Sequence, residues 1–205
     1  MKPQALARPI LVSGLSLLLT ACGSGGNDAQ NCEYASGNLL QDSTFSTLDK
    51  PKREQAWRYS QHAGEKSFIY SAQNGILRFE KTGDEPWALL TQNADTESTK
   101  GQRIEYSAEL KLDLKDPRTT HGFGYGAGLS LMAKKNNRVI LSSSLDHEPH
   151  MGIHGWHTAR VIADLPKGTT YLRLGFLHQA GGSFQIRNPS LRLVAGGCEA
   201  TVTEK

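Results

Sequence analysis

The chain has 205 residues, 23 basic against 20 acidic side chains, a formal net charge of +3 and 38% apolar residues, a globular composition that excludes a charged disordered tail and nucleic-acid binding driven by bulk charge. A mean hydropathy of −0.45 with a single apolar run excludes a multi-span membrane protein. Three cysteines are too few for a miniprotein built on a disulfide framework.

The first element is at the front. Lys2 and Arg8 precede an apolar run over 10–19, broken only by Ser13, Gly14 and Ser16. About ten residues suit the apolar region of a secretory signal and fall short of a bilayer span. The run ends in Leu19-Thr20-Ala21-Cys22, which resembles the bacterial lipobox, whose cysteine thiol is acylated and becomes the new N-terminus. The resemblance implies a lipoprotein signal peptide over 1–21, lipidation with palmitate-type chains at Cys22, and a tether over 22–31 made flexible by Gly23-Ser24-Gly25-Gly26. Glycine rather than aspartate after the cysteine implies lipid anchoring at the outer membrane of a Gram-negative envelope, with two or more acyl chains for stable attachment. Cleavage also removes Lys2 and Arg8, so the formal charge falls from +3 to +1, too little for an electrostatic grip on nucleic acid or anionic lipid.

From 32 to 205 the chain reads as one β domain. Period-two alternation marks 76–79 and then 104–114, where Ile104, Tyr106, Ala108, Leu110, Leu112 and Leu114 alternate with Glu105, Ser107, Glu109, Lys111 and Asp113. That pattern predicts a long strand with one buried and one wet face. Shorter alternations follow at 128–133, 157–163, 170–177 and 184–194, with turn-forming residues at 81–84, 115–117, 135–137, 165–168 and 180–182. About ten strands and no long helical periodicity predict an all-β sandwich of the jelly-roll kind. Cys32 and Cys198, 166 residues apart near the two ends of this stretch, are expected to form a disulfide in an oxidising envelope, which places the first and last strands side by side. Their spacing does not suit thiol-redox or zinc chemistry.

Asn38-Leu39-Leu40, Phe45 and Trp57 resemble the opening of jelly-roll carbohydrate-binding modules with a galactose-binding-like fold. Further matches follow in order: Gly75-Ile76-Leu77, Trp87-Ala88-Leu89-Leu90-Thr91-Gln92, Gly128-Leu129-Ser130-Leu131, Gly155-Trp156-His157, Tyr171-Leu172-Arg173-Leu174-Gly175-Phe176 and Phe184-Gln185-Ile186. The resemblance spans about 38–194 and implies a glycan partner. Arg187-Asn188 stands where the family usually has an acidic residue, which argues against a structural calcium ion. No cofactor is assigned; calcium and a transition metal are the ions left open.

Several side chains are candidates for chemistry. Trp57, Tyr59, Tyr70, Trp87, Tyr125 and Trp156 could stack on sugar rings; the three tryptophans read as core or rim, while Tyr59 and Tyr125 read as surface platforms. Tyr125 lies in the glycine-rich stretch 122–126, where small neighbours leave a ring accessible. Arg103 and His178 are expected to add polar contacts. His147, His150, His154 and His157 fall within eleven residues; their spacing matches no helix-borne zinc motif, and they read as a loop that is either solvated or a metal holder. No G-x-S-x-G elbow is present and no cysteine is left for nucleophilic work, so the domain is expected to bind rather than catalyse. The expected partner is a glycan, or alternatively another envelope protein held by a structural or assembly module.

Overall fold

The computed structural model describes residues 31–115 and 126–202. Cys22 and Tyr125 lie outside the described residues. In chain order the strands are β1 (Glu33–Tyr34), β2 (Arg58–Gln61), β3 (Phe68–Gln73), β4 (Ile76–Lys81), β5 (Ala88–Ala94), β6 (Arg103–Lys115), β7 (Ala127–Lys135), β8 (Arg138–Ser144), β9 (Ile153–Asp164), β10 (Tyr171–His178) and β11 (Gly181–Gly196). A four-residue helix, Thr96–Thr99, sits between β5 and β6. The strands form two antiparallel sheets, ordered β3-β4-β11-β6-β9 with β1 added along β11, and β2-β5-β10-β7-β8. The all-β sandwich expected from the alternation is the fold.

The alternation in β6 explains the larger sheet. Ile104, Tyr106, Ala108, Leu110, Leu112 and Leu114 all turn into the core, and cross-strand partners on β11 repeat the phase, with Phe184 opposite Leu112 and Ile186 opposite Leu110. The opposite face is less wet than expected. Glu105 is 4% exposed, because Tyr34 Oη donates to its carboxylate at 3.0 Å and Arg160 pairs with it at 3.2 Å. The glycines at 181–182 are not a turn. They begin β11, and a Cβ on Gly182 would stand 2.3 Å from the Asp113 carbonyl, so the pair permits a close backbone approach inside the ladder.

Between the sheets Trp57 stacks on Phe176 at 5.4 Å and packs against Phe45 at 5.3 Å. Its indole N–H donates to the Asp42 carbonyl at 2.8 Å. The Asp42 carboxylate in turn accepts from the backbone N–H groups of Thr44, Ser46 and Thr47 and from the Thr47 hydroxyl at 2.7 Å. This ring of donors holds the turn in which Phe45 takes a positive φ of 60° and drops its ring into the core. Desolvation acts to raise the Asp42 pKa, but the Thr47 hydroxyl and the three backbone N–H groups outweigh it and hold the carboxyl below its ordinary value.

The two ends of the fold are clasped. Cys32 and Cys198 are joined, with Cα atoms 4.9 Å apart, and Tyr34 of β1 sits opposite Val194 of β11, so first and last strands lie side by side as expected. Asn38, the first residue of the carbohydrate-module resemblance, completes the clasp. Its side chain donates to the Pro189 carbonyl at 2.9 Å and accepts from Leu191 N–H at 3.0 Å.

Replacing Asp42 with alanine leaves three backbone N–H groups without their acceptor and is expected to cost about 2–4 kcal/mol, read as a lower urea midpoint at unchanged slope. Because the folded pKa lies below the unfolded one, the Asp42 contribution is present above the unfolded pKa and is lost as pH falls through the folded one. Replacing Cys32 and Cys198 with serine is expected to lower stability by about 4–5 kcal/mol in the chain-entropy account of so long a loop, checked by the same unfolding curves with and without reductant.

Candidate functional site

The outer face of the five-stranded sheet carries the candidate site. On β10, Leu172, Leu174, Phe176 and His178 face inward and are buried, which turns Tyr171 and Arg173 outward. On β5, Leu90 and Gln92 face inward, which turns Thr91 and Asn93 outward, and Arg58 lies opposite Thr91 across the β2–β5 ladder. These side chains, with Ser60, Tyr59, Gln41 and Gln55, line a groove of about 410 Å³. A second hollow of about 420 Å³, lined by Lys52, Lys66 and Tyr70, shares Gln55, Arg58 and Tyr59 with the first. The Arg58 guanidinium donates to the Lys52 carbonyl, and Lys134 Nζ stands 5.6 Å from the Tyr171 ring.

The expected contact residues do not converge. Tyr59 lines both hollows, its ring 5.3 Å from that of Tyr70 and its hydroxyl donating to Gln61 at 2.5 Å; desolvation, with Tyr70 and Glu85 nearby, pushes its pKa up to about 12. Arg103 is on the other sheet. It makes a two-pronged pair with Asp164 at 2.6 and 2.8 Å and donates to the Cys198 carbonyl, so it ties β6 to β9 and to the disulfide. His178, expected among the contacts, is instead fully buried in a cage of Phe68, Phe79 and Phe184, each 5.2–5.3 Å away. Its Nε2–H donates to the Gly182 carbonyl at 3.2 Å. Tyr171, Arg173 and Asn93 do not stand out by residue type, yet the sequence carries their signal: they are out of phase with the buried residues of β10 and β5.

The histidine run does not form a metal site. No group of three His, Cys, Asp or Glu side chains among the described residues could hold an ion. His147 pairs edge-on with His150 at 6.4 Å and His154 with His157 at 6.2 Å. His147 serves the fold. Its Nε2 accepts from Leu129 N–H at 2.9 Å, beside β7, where a Cβ on Gly128 would strike the ring at 2.2 Å. Nδ1 therefore carries the proton.

On the outer face of the larger sheet Trp156 is only half-buried, so it is not a core residue. The Arg187 guanidinium lies 4.2 Å from its ring centroid and also donates to Glu109 at 2.8 Å. Asn188 donates to the same carboxylate at 2.7 Å. Arg187 and Asn188 thus grip an acid from the next strand.

No family model matches the chain, and no curated protein matches its sequence. Among solved structures it resembles a CBM4 module, with a TM-score of 0.52 and 12% identity over 75% of this chain and 99% of that one. It also resembles a cyclase from Fischerella sp. TAU, with a TM-score of 0.50 and 9% identity over 80% of this chain and 99% of that one. The enzymatically active domain of tailspike protein 4 from bacteriophage CBA120 is similar as well, with a TM-score of 0.50 and 11% identity over 76% of this chain. This chain spans 21% of the tailspike chain. A binding module and two enzymes share the fold, so the likeness shows the jelly-roll architecture and leaves activity to the site.

The buried histidines give a pH signature. Desolvation lowers the pKa of His178 to about 3 and that of His147 to about 4, the latter helped by His150 and His157. Between these values and the unfolded value of 6.5 the unfolded chain binds protons that the folded chain does not, so stability falls on acidification. The expected slope is up to about 1.4 kcal/mol per pH unit for each group. Urea midpoints from about pH 7 to pH 4 check this, and His147→Gln, which keeps an acceptor for Leu129, is expected to flatten the slope.

Proposed function

We propose that the protein is a lipid-anchored envelope protein whose jelly roll binds a glycan without cleaving it, in the groove on the outer face of the five-stranded sheet. The observation that carries this reading is the convergence in one open groove of an aromatic ring, Tyr171, with the hydrogen-bonding side chains of Thr91, Asn93, Gln41, Gln55 and Arg173. An aromatic face buries the apolar face of a pyranose, and fixed polar groups around it select hydroxyl positions. The CBM4 likeness supports the fold on which such a groove is built. Leu19-Thr20-Ala21-Cys22 supports the anchor, and the Cys32–Cys198 bridge suits an oxidising compartment.

The purified protein is expected to bind members of a glycan array, and Tyr171→Ala to weaken that binding about tenfold or more without changing the unfolding midpoint. A blank array, or binding indifferent to Tyr171→Ala, overturns the reading. For the anchor, mass spectrometry is expected to find acyl chains on Cys22, and Cys22→Ser to release the protein from membranes.

A further inference from the structure

Charge is divided between the two sheets. The larger sheet carries Glu33, Glu80, Glu105, Glu109, Asp113 and Asp164. There Arg78, Arg103, Arg160 and Arg187 each pair with a carboxylate. The five strands of the other sheet contain no aspartate or glutamate at all. Among the described residues Arg173 makes no ion pair, and Arg58 bonds only a backbone carbonyl. Among the described residues neither hollow is lined by an acid, while Lys52, Arg58, Lys66 and Arg173 line them. Of the acids beside Gly64 at the edge of the second hollow, Glu85 is turned to His62 and to Ala63 N–H at 2.8 Å, and Glu65, next to Gly64 in the chain, is exposed. With a formal net charge of only +3 over the whole chain, this is a local arrangement and not bulk basicity.

We propose that the two joined hollows take a segment of an anionic polysaccharide, bearing carboxylate or sulfate groups, rather than a neutral one; this rests on the glycan reading above. Guanidinium groups with no carboxylate of the described residues beside them keep their paired N–H donors for a ligand oxyanion. Tyr171 lies on the same path, and Tyr59, half-buried against Tyr70, borders both hollows. Sugar hydroxyls alone would be served by neutral amides and hydroxyls, and an acid-free sheet favours a ligand that brings its own negative charge.

The test uses the full chain in detergent, with affinity electrophoresis and calorimetry against polygalacturonate, alginate and chondroitin sulfate, and against neutral xylan and β-1,4-galactan. Anionic chains are expected to bind at least about tenfold more tightly than neutral ones, with affinity falling as salt rises from about 0.05 to 0.5 M. Uronate chains against the sulfated one decide between the two anions. Arg173→Gln and the exposed Lys66→Gln are expected to weaken binding several-fold, and Lys111→Gln on the other sheet to leave it unchanged. Neutral glycans binding as tightly, without salt dependence, overturn the anionic assignment and leave the glycan reading standing. Equal losses from Lys111→Gln and Arg173→Gln indicate diffuse charge and overturn it too, as does binding to phosphatidylglycerol vesicles in place of polysaccharide. No binding to any glycan of either charge overturns both.

Discussion

Every strand of the larger sheet is held, directly or at one remove, by β11, whose backbone pairs on one side with β6 from Gly181 to Leu193 and on the other with β4 as far as Ile186. Beyond Ile186 the ladder with β6 shifts register between Arg187 and Ser190, with Asn188 at a φ of 51°. After this bulge the chain from the front of the domain takes over as partner: Asn38 bonds Pro189 and Leu191, Ala35 N–H donates to the Leu193 carbonyl, and β1 continues to Gly196. A proline lacks the N–H that a central strand donates, and the handover falls where that loss matters least. The rest of the architecture depends on this one strand having partners along its whole length.

The two outer faces differ in how they satisfy themselves. On the larger sheet arginines lie between aromatics and acids, with Arg187 on Trp156 and Glu109. Arg192 stacks on Tyr34, whose hydroxyl reaches Glu105. On this surface four arginines are paired with carboxylates, and the Trp156 and Tyr34 rings are each covered on one side by a guanidinium. On the smaller sheet the outward positions are small or neutral around a few cations that make no ion pair among the described residues, so the hydrogen-bonding capacity of the groove is turned to solvent. Among the described residues the same sandwich thus has one face with most of its charges paired and one whose cations are not.

Much of the fold was legible as period two. The reading of 104–114 falls within β6 (Arg103–Lys115), and 76–79, 128–133, 170–177 and 184–194 each overlap a strand. β2, with four residues, is too short to show alternation, and the serine-rich end of β8 (Arg138–Ser144) hides its inward residues. What alternation does not give is what covers a face. Glu105 is in phase with solvent but buried beneath Tyr34 and Arg160, partners 71 and 55 positions away along the chain. His178 departs from expectation for the opposite reason: it is in phase with Phe176 and Leu174, and a count along β10 places it inside, whereas residue type alone suggests a contact. The histidine spacing reads as one cluster, and the structure sets His147 edge-on to His150 and His154 edge-on to His157.

The clasp has a consequence for chain topology. With the Cα atoms of Cys32 and Cys198 4.9 Å apart, the folded stretch is in effect a closed ring, and the place where it is cut is a matter of history more than of packing. The turn at Asn136 and Asn137, exposed and with both residues at positive φ, lies at the tip of the β7–β8 hairpin, far along the chain from β11. A cut there would spare every pairing of the central strand, so the order of strands along the gene and their order in the sheets are separable properties of this domain.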